Sequence, residues 1–186
     1  NFTLKKNQQE QQFKSYFLYI GRLSREKGIN TLIQVAKALP SSQFVIAGDG
    51  PLRPIVEKYE GDNLKYVGFK TGSDLNMIIE KASWVIVPSE WYENNPLAII
   101  EPFSMGKPVI GANIGGIPEL IVENVNGFLF ESGSCVNLVE IIKKVSTFDK
   151  VEYGEFSSNA KHFSDIHLSP DDHYSSLMKI YKSIQK

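Results

Sequence analysis

The stretch from Pro88 to Gly116 constrains the fold of this chain more than any other. It follows a short apolar run, Trp84–Val87, which is typical of a buried strand. Pro96 stands where the first turn of a helix tolerates proline, and Gly106 predicts where that helix ends. The next apolar run, Pro108–Ala112, predicts a second strand. Strand, polar loop, helix and strand in this order indicate a parallel β-α-β unit, because a helix usually connects parallel strands.

The same alternation continues on both sides of this unit. Apolar runs predict strands at Tyr16–Ile20, Gln43–Ala47, Leu64–Val67, Trp84–Val87, Pro108–Ala112 and Gly127–Phe130. Helices are predicted at Ile29–Leu39, Leu52–Glu60, from Ser73 as N-cap to Ala82, after Pro96, at Pro118–Val122, at Cys135–Val145, and in two pieces from Val151 that break near Ser169–Pro170. This pattern predicts an α/β fold, a Rossmann-like, doubly wound parallel sheet of about six strands.

Composition favours one globular domain. The chain has 186 residues and a net charge of −1, so nothing indicates binding to the phosphate backbone of nucleic acids. No apolar stretch approaches the roughly 20 residues that a membrane helix needs. The single cysteine, Cys135, cannot form an internal disulfide, which favours a reducing compartment. We therefore expect a cytoplasmic protein.

The termini are predicted to differ from the body of the chain. Residues 1–14 are polar and rich in glutamine, and we expect a linker or disordered start there. Residues 15–186 are expected to form one domain that closes with a helix over residues 171–184. Because the first residue is Asn1 rather than methionine, we expect a fragment or a processed form of a longer protein.

Two carboxylates, Glu93 and Glu101, flank the start of the helix that follows Pro96. A helix N-terminus carries free N–H groups and a partial positive charge, so it attracts anions. Two carboxylates beside a helix end that attracts anions are explained only if the ligand also carries hydroxyl groups, which can donate hydrogen bonds to them. The pair therefore indicates a sugar phosphate. Glu93 and Glu101 have the spacing E-x7-E. Glu90 is an alternative to Glu93, but it does not have this spacing to Glu101.

Three motifs in order resemble one known family. They are GRLSREKG at Gly21–Gly28, IAGDGP at Ile46–Pro51, and PSEWYENNPLAIIEPFSMGKPVI from Pro88, followed by Gly115-Gly116. Together they are similar to the retaining GT-B glycosyltransferases of group 1, the GT4-like group. The resemblance covers the chain from Tyr16 onward and implies the C-terminal, donor-binding half of a GT-B fold.

The resemblance implies roles for particular residues. Arg22 and Lys27 would neutralise the donor diphosphate as the leaving group departs, and Glu93 would orient the transferred sugar, so these three are the catalytic candidates. Glu101 would bind the ribose hydroxyls, since a carboxylate accepts two hydrogen bonds from neighbouring hydroxyls. The remaining binding candidates are Gly21, Gly48, Gly50, Phe69, Lys70, Asn94, Asn95, Pro96, Leu97, Gly115 and Gly116.

Within that set, the backbone at Phe69 and Lys70 would contact the nucleobase, and the N–H groups after Glu93 would reach the distal phosphate. Many relatives carry glycine after the first glutamate, whereas this chain has Asn94-Asn95. The difference bears on which sugar is selected. The asparagines also precede the helix and are N-cap candidates.

The implied function is transfer of a hexosyl unit, with retention, from a nucleoside-diphosphate sugar to a glycan, lipid or other acceptor. The N-terminal acceptor domain is missing, so we expect the chain alone to bind nucleotide and to transfer little; association with a membrane surface would occur through that missing half. No metal or other cofactor is expected. Two alternatives remain open: half of a nucleotide-sugar epimerase, or a nucleotide-binding module without catalysis.

Overall fold

The computed structural model describes residues 16–168, 178 and 181–183. The predicted linker over residues 1–14 lies outside them, as does most of the predicted helix over residues 171–184. Six strands form one parallel sheet, and they are β1 (Tyr16–Ile20), β2 (Phe44–Ala47), β3 (Leu64–Gly68), β4 (Ala82–Val87), β5 (Val109–Ala112) and β6 (Gly127–Phe130). The spatial order is β3-β2-β1-β4-β5-β6, so the predicted fold class is confirmed.

Seven α-helices lie within the described residues. They are α1 (Ile29–Ala38), α2 (Arg53–Lys58), α3 (Gly72–Lys81), α4 (Leu97–Ser104), α5 (Ile117–Leu120), α6 (Cys135–Val145) and α7 (Lys150–His167). A single 3-10 turn, Arg25–Lys27, lies in the segment predicted as a loop after β1. The helix bounds agree with the predicted ones to within a few residues, which is the usual precision of a sequence pattern.

The predicted N-caps of two helices are wrong. Ser73 is not the N-cap of α3, because the helix begins at Gly72 and Thr71 occupies the cap position in extended conformation. Neither Asn94 nor Asn95 caps α4; Pro96 itself is the N-cap, with φ −70° and ψ 114°. In both helices no side chain supplies the capping hydrogen bond. A sequence rule that looks for a capping side chain therefore selects a neighbouring polar residue.

Five of the six strands are almost wholly buried, as their nearly continuous apolar sequences require, whereas only Leu64 is buried in the edge strand β3. All residues of β2 and β5 are buried, and so are the first four of β1. Trp84 in β4 packs within a group of rings formed by Phe128, Tyr153 and Phe156. Burial of a large apolar side chain stabilises the fold by about 1.5–3 kcal/mol.

Helix α7 fixes the position of α4. The rings of Phe103 in α4 and Phe163 in α7 meet edge to face, with centroids 5.8 Å apart. At the end of α4, Ser157 Oγ donates a hydrogen bond of 2.6 Å to Gly106 O. The C-terminal end of α4 is thus anchored by packing, and its N-terminal end is directed toward the carboxyl ends of the strands.

The order of the strands places a crevice between β1 and β4. The chain leaves β1 toward β2 on one side, whereas β4 begins the half of the sheet on the other side. In an open α/β sheet, ligands bind at such a switch point, beyond the carboxyl ends of the strands. The loops after β1 and β4 therefore decide what the crevice can bind.

Gly28 lets these two loops meet. Its φ is 71°, in the left-handed region, and a Cβ at this position would lie 1.7 Å from Pro88 O. No side chain fits there, because the backbone of the loop after β4 already occupies the space.

We predict that Gly28→Ala destabilises the protein by about 2 kcal/mol or more, since the substitution combines left-handed strain with a collision against backbone. The control is Gly154→Ala in α7, where nothing lies within 4 Å of the new Cβ. There, alanine should stabilise by about 0.5–1 kcal/mol through helix propensity. Chemical denaturation measures both, and equal stability of the two variants would contradict the prediction.

Candidate active site

A cavity of about 670 Å³ opens at the crevice between β1 and β4. Eleven predicted site residues line it, and they are Gly21, Arg22, Lys27, Gly48, Phe69, Lys70, Glu93, Asn95, Pro96, Leu97 and Glu101. The structure thus brings together candidates that lie as much as 80 residues apart in sequence, from Gly21 to Glu101. A cavity of this size suits a ligand of nucleotide dimensions.

The loop after β1 supplies the positive charge. Arg22 is exposed at the cavity, and Lys27 is half-buried at the end of the 3-10 turn. The Tyr19 hydroxyl donates a hydrogen bond of 2.7 Å to Arg22 O and so holds the backbone of this loop. A planar guanidinium and an ammonium on one side of a cavity can bind adjacent phosphate groups.

Glu93 lies opposite these cations and is already engaged. Lys27 Nζ forms an ion pair with Glu93 Oε1, and the Ser89 hydroxyl donates to the same oxygen at 2.7 Å. The Glu93 side chain is 16% exposed, and Ser89 is 2% exposed. The carboxylate is therefore held in place by two donors from two different loops.

The N-terminal end of α4 forms another wall of the cavity. Pro96 and Leu97 line it, and Glu101 follows one helical turn later on the same side. The first N–H groups of a helix lack partners within the helix, so this wall offers hydrogen-bond donors to an anion. Glu101 adds a carboxylate that can accept hydrogen bonds from hydroxyl groups.

The glycine turn after β2 closes the floor of the cavity. Gly48 lies against the loop after β1, where a Cβ would come within 1.8 Å of Gly21 O. Gly50 does not line the cavity; a Cβ there would lie 2.6 Å from Leu23 O. The contact of Gly50 with a ligand stays a prediction, and the structure shows it supporting the loop that carries Arg22.

The diglycine packs against the loop that carries Glu93, and its contact with a ligand stays a prediction. Gly116 N donates a hydrogen bond of 2.7 Å to Glu93 O, and a Cβ on Gly116 would lie 2.3 Å from Asn94 O. Gly115 has φ 59°, and its Cβ would come within 2.7 Å of Glu93 N. Neither these glycines nor Asn94 line the cavity. The diglycine therefore sets the backbone of the loop that carries Glu93.

Sequence reasoning missed several residues that line the cavity, notably Tyr19, Asp49 and Ser89. Ser89 could have been found, because it lies directly after a strand and four residues before Glu93. Tyr19 carries no such signal, since a tyrosine in a buried strand is typical of a core. Glu90, the alternative to Glu93, does not line the cavity.

Burial and neighbouring charge keep Tyr19 protonated. Its pKa is raised strongly, first by burial and then by the negative charges of Glu93 and Glu26.

Within residues 16–168, 178 and 181–183 no group of three or more histidine, cysteine or acidic side chains could hold a metal ion. Over the same residues, no helix combines the length and apolar character needed to cross a membrane.

We predict that stability falls as pH rises above about 10, because unfolded tyrosines ionise there whereas Tyr19 stays neutral in the fold. The folded state then binds more protons than the unfolded state, so deprotonation favours unfolding. In Tyr19→Phe the loss of stability between about pH 9 and about pH 11 should be smaller than in the unchanged chain. Urea unfolding at the two pH values measures it, and an equal loss in both proteins would contradict this assignment.

The chain belongs to the group 1 glycosyltransferases. The sequence pattern of the family described as "Glycosyl transferases group 1" matches residues 1–163. The alpha-D-kanosaminyltransferase of Streptomyces kanamyceticus is 34% identical over 137 residues, which are 69% of this chain and 35% of that protein. The family predicted from the three motifs is confirmed.

A second relative is the UDP-Gal:alpha-D-GlcNAc-diphosphoundecaprenol alpha-1,3-galactosyltransferase of Escherichia coli, 34% identical over 147 residues. The match covers 73% of this chain and 37% of that protein. The chain thus spans little more than a third of the length of these two relatives.

Solved structures confirm the fold. Those of Anabaena Alr3699/HepE in complex with UDP and with UDP-glucose each match with a TM-score of 0.80, at 24% and 23% identity. Each match covers 91% of this chain and 49% of that one. The Rossmann-like domain predicted from the sequence, as part of a GT-B fold, is therefore confirmed.

Proposed function

We propose that this chain is the donor-binding domain of a retaining glycosyltransferase that takes a hexosyl unit from UDP-sugar. One observation carries the proposal: Arg22, Lys27, Glu93 and Glu101 converge on a single cavity at the switch point of the sheet. Two cations, a helix N-terminus and two carboxylates match a ligand that contains both a diphosphate and sugar hydroxyls.

The diphosphate is assigned to the space between Arg22, Lys27 and the N-terminus of α4. A sugar diphosphate brings negative charge that three sources of positive charge can balance without a metal ion. When the bond to the sugar breaks, charge builds up on the leaving phosphate, and fixed cations stabilise that charge more than they stabilise the bound donor. Arg22 and Lys27 therefore act on the transition state.

The nucleoside is assigned to the side of the cavity lined by Phe69 and Lys70, with Glu101 binding the ribose hydroxyls. Uracil is chosen as the base because the HepE structures contain UDP and UDP-glucose. Glu93 lies at the opposite side, next to Lys27, where the sugar of the donor would extend. Its position, fixed by Ser89, suits orientation of sugar hydroxyls.

The acceptor is assigned to a domain beyond this chain. The chain spans 49% of HepE, and the cavity is lined by loops at the carboxyl ends of the strands. We propose that an N-terminal acceptor domain of the parent protein covers this cavity and that transfer needs both halves. We also propose that the parent acts in the cytoplasm, and that any membrane association is made through the N-terminal half. No cofactor other than the donor substrate enters the proposal.

We predict that calorimetric titration of the chain shows binding of UDP in preference to GDP and ADP. Arg22→Ala should weaken UDP binding about tenfold or more, since it removes a charged contact to phosphate. The matched control is Arg25→Ala in the same loop, because Arg25 is exposed and does not line the cavity. An equal effect of the two substitutions, or no UDP binding by the unchanged chain, would contradict the proposal.

The two glutamates should behave differently. Glu101→Ala should weaken UDP and UDP-glucose alike, by about tenfold, because both ligands carry the ribose. Glu93→Gln should leave the affinity for UDP unchanged or higher, since Lys27 loses the carboxylate that competes with phosphate for it. We expect the unchanged chain to bind UDP-glucose more tightly than UDP, and this difference in affinity should disappear in Glu93→Gln. Titration of both variants with both ligands measures this, and a Glu93→Gln variant that keeps its preference for UDP-glucose would refute the assignment of Glu93 to the sugar.

A further inference from the structure

Glu90 makes contacts that the proposed donor site does not use. It lies on the loop after β4, three residues before Glu93, yet it does not line the cavity. Its carboxylate accepts a hydrogen bond of 2.6 Å from Thr31 Oγ1, in the first turn of α1. Its backbone N–H donates to Glu26 O at 2.8 Å. One residue thus contacts the segment after β1 at two separate points.

The two contact points bracket Lys27. Glu26 directly precedes it in the 3-10 turn, and Thr31 follows it by four residues, beyond the close contact between Gly28 and Pro88. Thr31 is 6% exposed, so its hydroxyl has little access to water as an alternative partner. A buried hydroxyl and a carboxylate that satisfy each other hold their two segments in a fixed register.

We propose that Glu90 and Thr31 are positioning residues, which set the distance between Lys27 and Glu93 by locking the loop after β4 to the segment after β1. The inference rests on the proposed donor site. Lys27 and Glu93 lie on different segments and form an ion pair between them. A shift of one segment relative to the other would therefore change the distances from Lys27 to Glu93 and to the donor diphosphate. A displacement of about 1 Å in a binding group is enough to cost much of its effect.

The contacts also differ in kind from ordinary support of the fold. The Glu90 carboxylate lies beside the first turn of α1, whose N-cap is Gly28 and whose N-terminus has no side-chain cap. Negative charge is favourable at this end of a helix. The loop therefore gains an electrostatic as well as a hydrogen-bonded attachment to the segment that presents Lys27.

Titration with UDP tests the proposal. Thr31→Val removes the hydroxyl and keeps the shape of the side chain, and it should weaken UDP binding by about three- to tenfold. Thr31→Ser restores a hydroxyl and should bind within about twofold of the unchanged chain. Glu90→Ala should match Thr31→Val, and the double variant should be no weaker than the single variants, because both remove one interaction.

The Lys27→Ala background separates positioning from general destabilisation. If Thr31 acts through Lys27, then Thr31→Val should change UDP binding by less than about twofold once Lys27 is absent. The control for loss of a hydroxyl is Ser146→Ala, which removes the hydrogen bond to Ile142 O at the end of α6, away from the cavity, and should leave UDP binding unchanged. Thermal unfolding of each variant shows that it is folded at the temperature of the titration.

Three results would overturn the proposal. Equal UDP affinity of Thr31→Val and the unchanged chain would show that the contact does not position the site. The same loss with and without Lys27 would show that Thr31 only stabilises the fold. Failure of the unchanged chain to bind UDP would overturn the donor site itself, and the inference with it, so the two failures are distinguishable.

Discussion

The contact between the loops after β1 and β4 is the constraint on which the site depends. These strands are neighbours at the point where the strand order reverses, so their loops must pass each other within a few ångström. Gly28 makes this passage possible, since its missing side chain leaves room for the Pro88 carbonyl. Once the loops touch, Lys27 and Glu93 meet across the boundary, and Ser89 fixes the carboxylate from below. Backbone packing thus comes first, and the ion pair is its consequence.

The electrostatics of the cavity follow from this arrangement. Lys27 and Glu93 neutralise each other in the structure described, while Arg22 remains exposed at the cavity. A half-buried ion pair contributes little net stability, because desolvation offsets most of the attraction. In the proposed function its value lies in preorganisation, since Lys27 and Glu93 would already be held where the phosphate and the sugar of the donor bind. In the proposed function the donor diphosphate competes with Glu93 for Lys27, which couples phosphate binding to the orientation of the sugar.

Glycine residues contribute to the site in a way that sequence motifs do not reveal. Gly48 and Gly50 pack against the loop after β1, and Gly115 and Gly116 pack against the loop after β4. A motif rich in glycine suggests close approach of backbone to ligand, but here the close approach is largely that of one loop to another. Each loop is therefore packed against glycine backbone on one side, and its other side lines the cavity.

The sequence by itself determined the strands and the doubly wound α/β class, because apolar periodicity is a local property. Its motifs, through their resemblance to the family, also indicated eleven of the residues that line the cavity. Tertiary structure alone decided that Ser89 and Lys27 share Glu93, that Glu90 binds Thr31, and that Pro96 rather than an asparagine caps α4. These facts depend on which distant segments meet, and on the exact approach of backbones across the sheet, which no local pattern encodes.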